Sequence, residues 1–377
     1  SRDPVPGAKG HEPRAPAIEV TNQKPEEGNT VRMLSALKKT MAAVAVSGLA
    51  VAMIPGQAVA QDKEVITWKV QSHWPSASSS YEDSLVLLKN RLEERTDGRL
   101  VLQLHEAGAL FKAKETFNAV SRGVIEMGTI SPAYVRDKIQ VAGIASGLPF
   151  AFRNVWAAAY FHKHVGFEEM IREEAAEYGV FYSTDKVYPT EMVVKEPIES
   201  WEDFTSLKIR SSGTLQKFLS EAGASASYLP GEELYPALSS GVVDAAHWGA
   251  AQGAMSMSLY DTAKYHVRPP LNIAGTDAFI INQDAIDELP ADIRETLMQT
   301  LDEQFWYRTN EYLYKEQVAL AKAMNEQGVK INTLPEEVQN KLAAAAKESW
   351  EAEAEQGEKA EKALNMLKDF LGRLGYL

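Results

Sequence analysis

The stretch that most constrains the fold runs from Leu234 to Trp248 and reads Leu-Tyr-Pro-Ala-Leu-Ser-Ser-Gly-Val-Val-Asp-Ala-Ala-His-Trp. Leu234 and Leu238 stand four apart, as on one face of a helix. Gly241 is a helix stop, and the β-branched pair Val242-Val243 opens a buried strand. Helix, turn and strand in that order belong to α/β architecture, where ligands sit beyond the carboxyl ends of strands. His247 and Trp248, where this strand emerges, are therefore site candidates.

The pattern occurs twice. Ala119 to Gly128 matches Ala237 to Ala246 class by class, with small residues, glycine, apolar pairs and the acidic residue in step, at an offset of 118 residues. Helix-Gly-strand units are common, so the echo is either chance in an alanine-rich chain or the trace of two similar α/β lobes. On the second reading Thr129–Ser131 and His247–Gly249 are equivalent strand ends that face each other across one cleft.

Around these copies the chain alternates. Glu64–Ser72 has strand alternation and ends at Gln71-Ser72-His73-Trp74-Pro75, where proline forbids continuation. A helix over Tyr81–Arg95, a strand over Leu100–His105 and a helix over Lys114–Arg122 follow; the first echoed strand leads to the loop Ser131–Tyr134. Leu148–Phe152 reads as packed loop and Asn154–Glu177 as helix, while Val180–Val187, Glu191–Val194 and Ala278–Ile281 read as strands. Trp201–Phe204 reads as a turn into the short strand Leu207–Arg210, after which Ser211-Ser212-Gly213-Thr214 caps a helix over Leu215–Ala222. From Ala291 onward the chain is helix-forming, with Pro335 the only strong breaker. This order predicts α/β lobes braced by long helices.

Composition narrows the chemistry. The chain has no cysteine, which excludes thiol catalysis, cysteine-zinc sites and disulfides, and its net charge of −13 repels nucleic acid. Lys38-Lys39, the apolar run Met41–Ile54 and Ala58-Val59-Ala60 have the order of a secretory signal peptide. The expected segments are thus an upstream disordered piece at 1–32, a signal peptide at 33–60, and a mature, exported protein from about Gln61. No metalloprotease, serine-hydrolase, phosphate-loop or dinucleotide motif occurs.

Arg210 is the sharpest candidate. It ends a short strand directly before a turn and a helix start, so a guanidinium fork and the free amides at Gly213 and Thr214 converge on one volume that suits a carboxylate. The same position also suits a surface ion pair. Trp248 serves either as a platform against a planar ligand or as core. His247 donates to a ligand oxygen, ligates a metal, or is a satisfied buried histidine.

Trp68-Lys69-Val70-Gln71, Gly123–Gly128, Leu148-Pro149-Phe150, Leu207–Arg210 and Tyr235–Leu238 running into Gly241–Ala246, taken in order behind a signal peptide, resemble the extracytoplasmic solute-binding subunit of tripartite ATP-independent periplasmic (TRAP) transporters. The resemblance covers the chain from about Glu64 and is strongest to binders of 2-oxo and 2-hydroxy monocarboxylates. It implies a two-lobe periplasmic binding protein fold with a hinge and a ligand cleft. Lobe I would be 61–186 and 276–320, lobe II 187–275 and 321–377. It also implies capture of a small organic acid in the periplasm and its delivery to membrane permease subunits, without turnover or cofactor. By resemblance Arg210 pairs with the ligand carboxylate, and His247, Trp248, Gln71, His73, Tyr134, Tyr188 and Thr190 line the cleft. In that branch an acidic residue before the tryptophan helps hold a bridging cation. Here that residue is His247, and hard cations want oxygen ligands, so no metal is expected and His247 meets the ligand directly. The favoured ligand is a 2-oxo or 2-hydroxy monocarboxylate, then an aromatic carboxylate, then a sulfonate. The alternative is a periplasmic hydrolase or lyase using His247 as a base.

Overall fold

A computed structural model describes residues 64–377. The expected signal peptide and the segment before it lie outside the described residues. Among those described, no helix is long and apolar enough to cross a membrane.

The described residues hold eleven strands in two sheets. The first contains β1 (Ile66–Gln71), β2 (Leu100–His105), β3 (Met127–Ile130), β4 (Val180–Thr190) and β10 (Asn272–Asn282), in the order β2-β1-β3-β10-β4. β1 runs parallel to β2 and β3, and β10 is antiparallel to both its neighbours. The second sheet contains β5 (Met192–Val194), β6 (Lys208–Arg210), β7 (Ser225–Ser227), β8 (Ala245–His247), β9 (Tyr265–Arg268) and β11 (Lys330–Thr333), in the order β11-β9-β5-β8-β6-β7. β8 and β7 flank β6 in parallel. The chain passes from one sheet to the other between β4 and β5 and returns between β9 and β10.

The echoed segments fold alike. Helix Thr116–Ser121 precedes β3 and helix Leu234–Ser240 precedes β8, and the strands begin at Met127 and Ala245, the offset seen in the sequence. Gly123 and Gly241 both take positive φ (64° and 81°), a conformation that only glycine adopts cheaply. That turn throws the next residue outward: Val124 is 57% and Val242 61% exposed, whereas Ile125 and Val243 are buried. The strand expected from Val242 therefore starts at Ala245.

Three other expectations are corrected. Trp201–Ser206 is a helix, not a turn, because the Ser200 side chain accepts the Asp203 amide as an N-cap. Asn154–Glu177 is two helices, Val155–His164 and Phe167–Ala176, parted at Gly166, whose φ is 100°. The helix after Arg210 starts at Gly213 rather than Leu215.

The C-terminal helices brace both lobes. Helix Ala291–Glu326 spans about 54 Å at 1.5 Å per residue. It sends Ile293, Leu297 and Leu301 into the core around Trp68 and Leu85, and Ala323 into the core around Leu234 and Val243. Helix Glu336–Ala354 starts among Phe204, Ile209 and Phe218 through Val338 and Leu342, then places Trp350 in the cluster of Phe161 and Tyr182. In helix Glu358–Arg373, Ala363, Leu364, Leu367 and Leu371 recur at helical spacing and pack in that cluster too. The segment 321–377, expected in lobe II, thus divides its packing between the two sheets.

Candidate functional site

The carboxyl ends of the parallel strands β1 and β3 in the first sheet, and β6 and β8 in the second, surround one cavity with the β4–β10 pair along its side. About 70 Å³ is open to the centre of a water-sized sphere. A space of that size suits a small organic molecule.

Arg210 reaches this cavity from the end of β6 and is only 2% exposed. Its Nε donates to the Leu229 carbonyl at 2.9 Å and Nη1 to the His247 carbonyl at 2.7 Å, while Nη2 is buried without a hydrogen-bond partner. Trp248 lies 4.9 Å from the guanidinium carbon, a cation–π contact. Among the described residues no carboxylate lies within ion-pair distance of Arg210, so this cation stands buried without a counter-charge. Such an arrangement costs several kcal/mol until an anion arrives.

Two more unpaired groups line the same space. His247, at the end of β8, accepts from or donates to Ser211 Oγ through Nδ1 at 3.1 Å, leaving Nε2 buried and unpartnered. Burial, reinforced by the Arg210 charge, lowers its pKa to about 3, so the ring is neutral near pH 7. With Ser211 donating, Nε2 carries the proton and becomes a donor. Thr190 Oγ1, at the end of β4, is the third. Buried polar groups are rarely left unpaired, and three around one cavity mark a place for a polar ligand.

The opposite wall carries charge of the other sign. Asp277 of β10 pairs in register with Lys186 of β4, and a β-bulge at this point makes Asp185 the extra residue. Lys186 Nζ lies 2.7 Å from Asp277 Oδ2 and 3.1 Å from Asp185 Oδ2. Asp277 Oδ1 is 3.3 Å from His73 Nε2. Burial pushes the Asp277 carboxyl up, but Lys186 and His73 more than reverse this and hold it below the usual carboxylate range. His73 is fixed from behind, with Nδ1 2.8 Å from Thr129 Oγ1, which also accepts the His73 amide at 3.0 Å. The pattern selects the tautomer in which Thr129 donates to Nδ1 and Nε2–H faces Asp277. Tyr134, Tyr188 and Tyr312 complete this side, and burial raises the pKa of each, keeping them as neutral O–H groups.

Of the residues expected at the site, Arg210, His247, Trp248, His73, Tyr134, Tyr188 and Thr190 line the cavity. Gln71, Gly213 and Thr214 do not. The Gln71 amide is committed to the loop beyond β2: Nε2 donates to the Ser72 and Glu106 carbonyls at 2.7 Å each, and Oε1 accepts from Leu110 at 3.0 Å. Thr214 donates to the Gly143 carbonyl at 3.1 Å. Gly213 instead abuts the first lobe, where a β-carbon on it would stand 2.5 Å from the Ala133 β-carbon. Sequence reasoning missed Asp277, Asn272, Thr276 and Tyr312. The available signal for Asp277 was a charged residue directly ahead of the apolar run Ala278–Ile281, opposite Asp185-Lys186 in another strand.

The sequence profile of the bacterial extracellular solute-binding proteins, family 7, matches residues 71–356. A monocarboxylate 2-oxoacid-binding periplasmic protein of Nostoc sp. is 26% identical over 250 residues, covering 66% of this chain and 68% of that protein. A TRAP periplasmic solute binding protein of Pseudoalteromonas atlantica, solved with bound sodium and pyruvate, superposes with a TM-score of 0.76 at 24% identity, covering 82% of this chain and 95% of the other. A Bordetella pertussis extracytoplasmic solute receptor binding pyroglutamic acid gives 0.72 at 17% identity, covering 81% and 100%.

Among the described residues no group of three or more histidine or acidic side chains could hold a metal. The one carboxylate lining the cavity, Asp277, already has an ammonium 2.7 Å away.

Proposed function

Because the chain belongs to the bacterial extracellular solute-binding proteins of family 7, we propose that it captures a small organic carboxylate between its lobes in the periplasm and hands it to the membrane permease of a TRAP transporter. A 2-oxo or 2-hydroxy monocarboxylate is the favoured ligand and an aromatic carboxylate the next. The family is one of transport receptors, and catalysis is no part of the reading.

One observation carries it: the buried Arg210 guanidinium, without a counter-charge, whose Nη2 waits for an acceptor in a cavity of about 70 Å³. A carboxylate there accepts from Nη2 and neutralises the charge, and His247 Nε2–H serves its second oxygen. Closure of the lobes excludes water and strengthens both contacts. The volume supports a short acid over a long one, and the chemistry of the Nostoc and Pseudoalteromonas relatives supports a monocarboxylate. For the lobes we assign the β1–β4 and β10 segments with residues 350–377 to lobe I, and the β5–β9 and β11 segments to lobe II, with the hinge at 190–192 and 268–272.

The test is thermal denaturation of the purified chain against keto, hydroxy, aromatic and dicarboxylic acids, sulfonates and sugars. A native-state ligand at a hundred times its Kd stabilises by about 2.7 kcal/mol, which raises the transition by several degrees. A shift confined to short monocarboxylates, with the acid recovered unchanged after long incubation, is expected. A shift with sugars alone, or conversion of the acid, would overturn the proposal.

A further inference from the structure

The cavity holds an anion as well as a cation. Arg210 faces it from the second lobe and Asp277 from the first, and Tyr134 lies within electrostatic reach of both. With the ligand's carboxylate on the guanidinium, a substituent on its next carbon lies in the same cavity as Asp277.

What Asp277 requires of that substituent follows from its lone pairs. A carboxylate offers about four acceptor sites and no donor. Lys186 occupies one at 2.7 Å on Oδ2, His73 Nε2 stands at a loose 3.3 Å from Oδ1, and the Tyr188 hydroxyl is close enough to donate to a third. About one acceptor site is left over, and with an ammonium in contact the group has no proton to give. A keto oxygen, itself only an acceptor, would set lone pair against lone pair. A hydroxyl would donate.

Resting on carboxylate capture at Arg210, we infer that Asp277 is a specificity-determining residue and that the ligand class is the 2-hydroxy acid, its hydroxyl donating to Asp277, in preference to the 2-oxo acid of equal size. The bulge between β4 and β10 is what makes the selection possible. It breaks the strict alternation of side chains, lets Lys186 turn between Asp185 and Asp277, and so keeps a buried carboxylate charged beside a ligand that is itself an anion. Ser84 Oγ donates to Asp185 Oδ2 at 2.6 Å and Gln304 Nε2 to its Oδ1 at 3.2 Å, which fixes the far end of this chain of charges.

The experiment is calorimetric titration of the full chain with matched pairs, lactate against pyruvate and 2-hydroxybutyrate against 2-oxobutyrate, at one pH and salt concentration. The hydroxy acid of each pair is expected to bind at least tenfold more tightly. Asp277→Asn, whose amide donates to a keto oxygen, is expected to erase or invert that ratio. Equal or tighter binding of the oxo acids by the wild-type chain overturns the inference and leaves carboxylate capture standing. Absence of binding by every acid, hydroxy and oxo alike, sinks capture itself and the inference with it. Should Asp277→Asn fail to fold, the wild-type ratio decides alone.

Discussion

Replacing Arg210 with methionine separates a binding role from a structural one, because the structure sets opposite consequences for the two. In the empty protein the substitution removes two hydrogen bonds, to the Leu229 and His247 carbonyls, and leaves those oxygens unpaired at about 1–3 kcal/mol each. It also removes a buried charge with no counter-ion, whose burial costs several kcal/mol. The terms oppose and nearly cancel, so the empty variant should lie within about 2 kcal/mol of wild type, moving its thermal transition by no more than about 5 °C. In the liganded protein nothing cancels: the ligand's carboxylate loses its only charged donor, at about 3–5 kcal/mol, or about 10²–10⁴-fold in Kd. Calorimetric titration reads the second quantity and scanning calorimetry of the empty protein the first. A variant that binds within tenfold of wild type while melting far lower would show that Arg210 only staples β6 to β8, and would refute the reasoning.

Three further outcomes are expected. Gly213→Ala places a β-carbon 2.5 Å from that of Ala133 across the cleft, at a φ of 58° that alanine tolerates poorly; affinity should fall at least tenfold, and solution scattering should find the lobes held apart even with ligand. Glu316 is buried, with Oε1 accepting the Gln252 amide at 2.9 Å; burial, with a contribution from Glu191, raises its pKa from 4.5 to about 8. Its stabilising effect is therefore full below about pH 4.5 and is lost as pH rises through about 8, so Glu316→Gln should raise stability at pH 8.5 by about 4 kcal/mol and flatten denaturation midpoints across that window; an unchanged slope would refute the assignment. Chelation of divalent cations, or exchange of sodium for a bulky organic cation, should leave ligand affinity unchanged; a tenfold loss would mean that a cation completes the site after all.

The parts of the fold and site visible in the sequence are those written in local chemistry. Gly123 and Gly241 announce their turns because no other residue takes that φ cheaply, and the strand ends they position, Thr129 and His247, follow from counting. Arg210 was legible because a short strand runs straight into a turn and a helix start. Three residues expected at the cavity stand outside its wall for physical reasons. The Gln71 amide and the Thr214 hydroxyl are taken by backbone groups of other segments and Gly213 packs against Ala133, and no local rule encodes that competition. Asp277 was invisible for a related reason. Asp185, Lys186 and Asp277 acquire meaning only from a cross-strand register and a bulge joining residues far apart in the chain.

If the protein captures its ligand as proposed, the paired strands β4 and β10 also bear on the rate of exchange. They pair from Asn282 opposite Val180 to Asn272 opposite Thr190, and just beyond that last pair both strands leave for the second sheet. Thr190 and Asn272, together with Tyr188 and Gly275 before them, are also cavity wall. A captured molecule therefore leans on the same peptides that must flex to free it. On that reading an added contact there is expected to slow escape more than it changes the encounter rate, so dwell time rises with affinity. On the capture reading the ribbon is at once hinge and wall, so a substitution that stiffens it is expected to lengthen the ligand's dwell time.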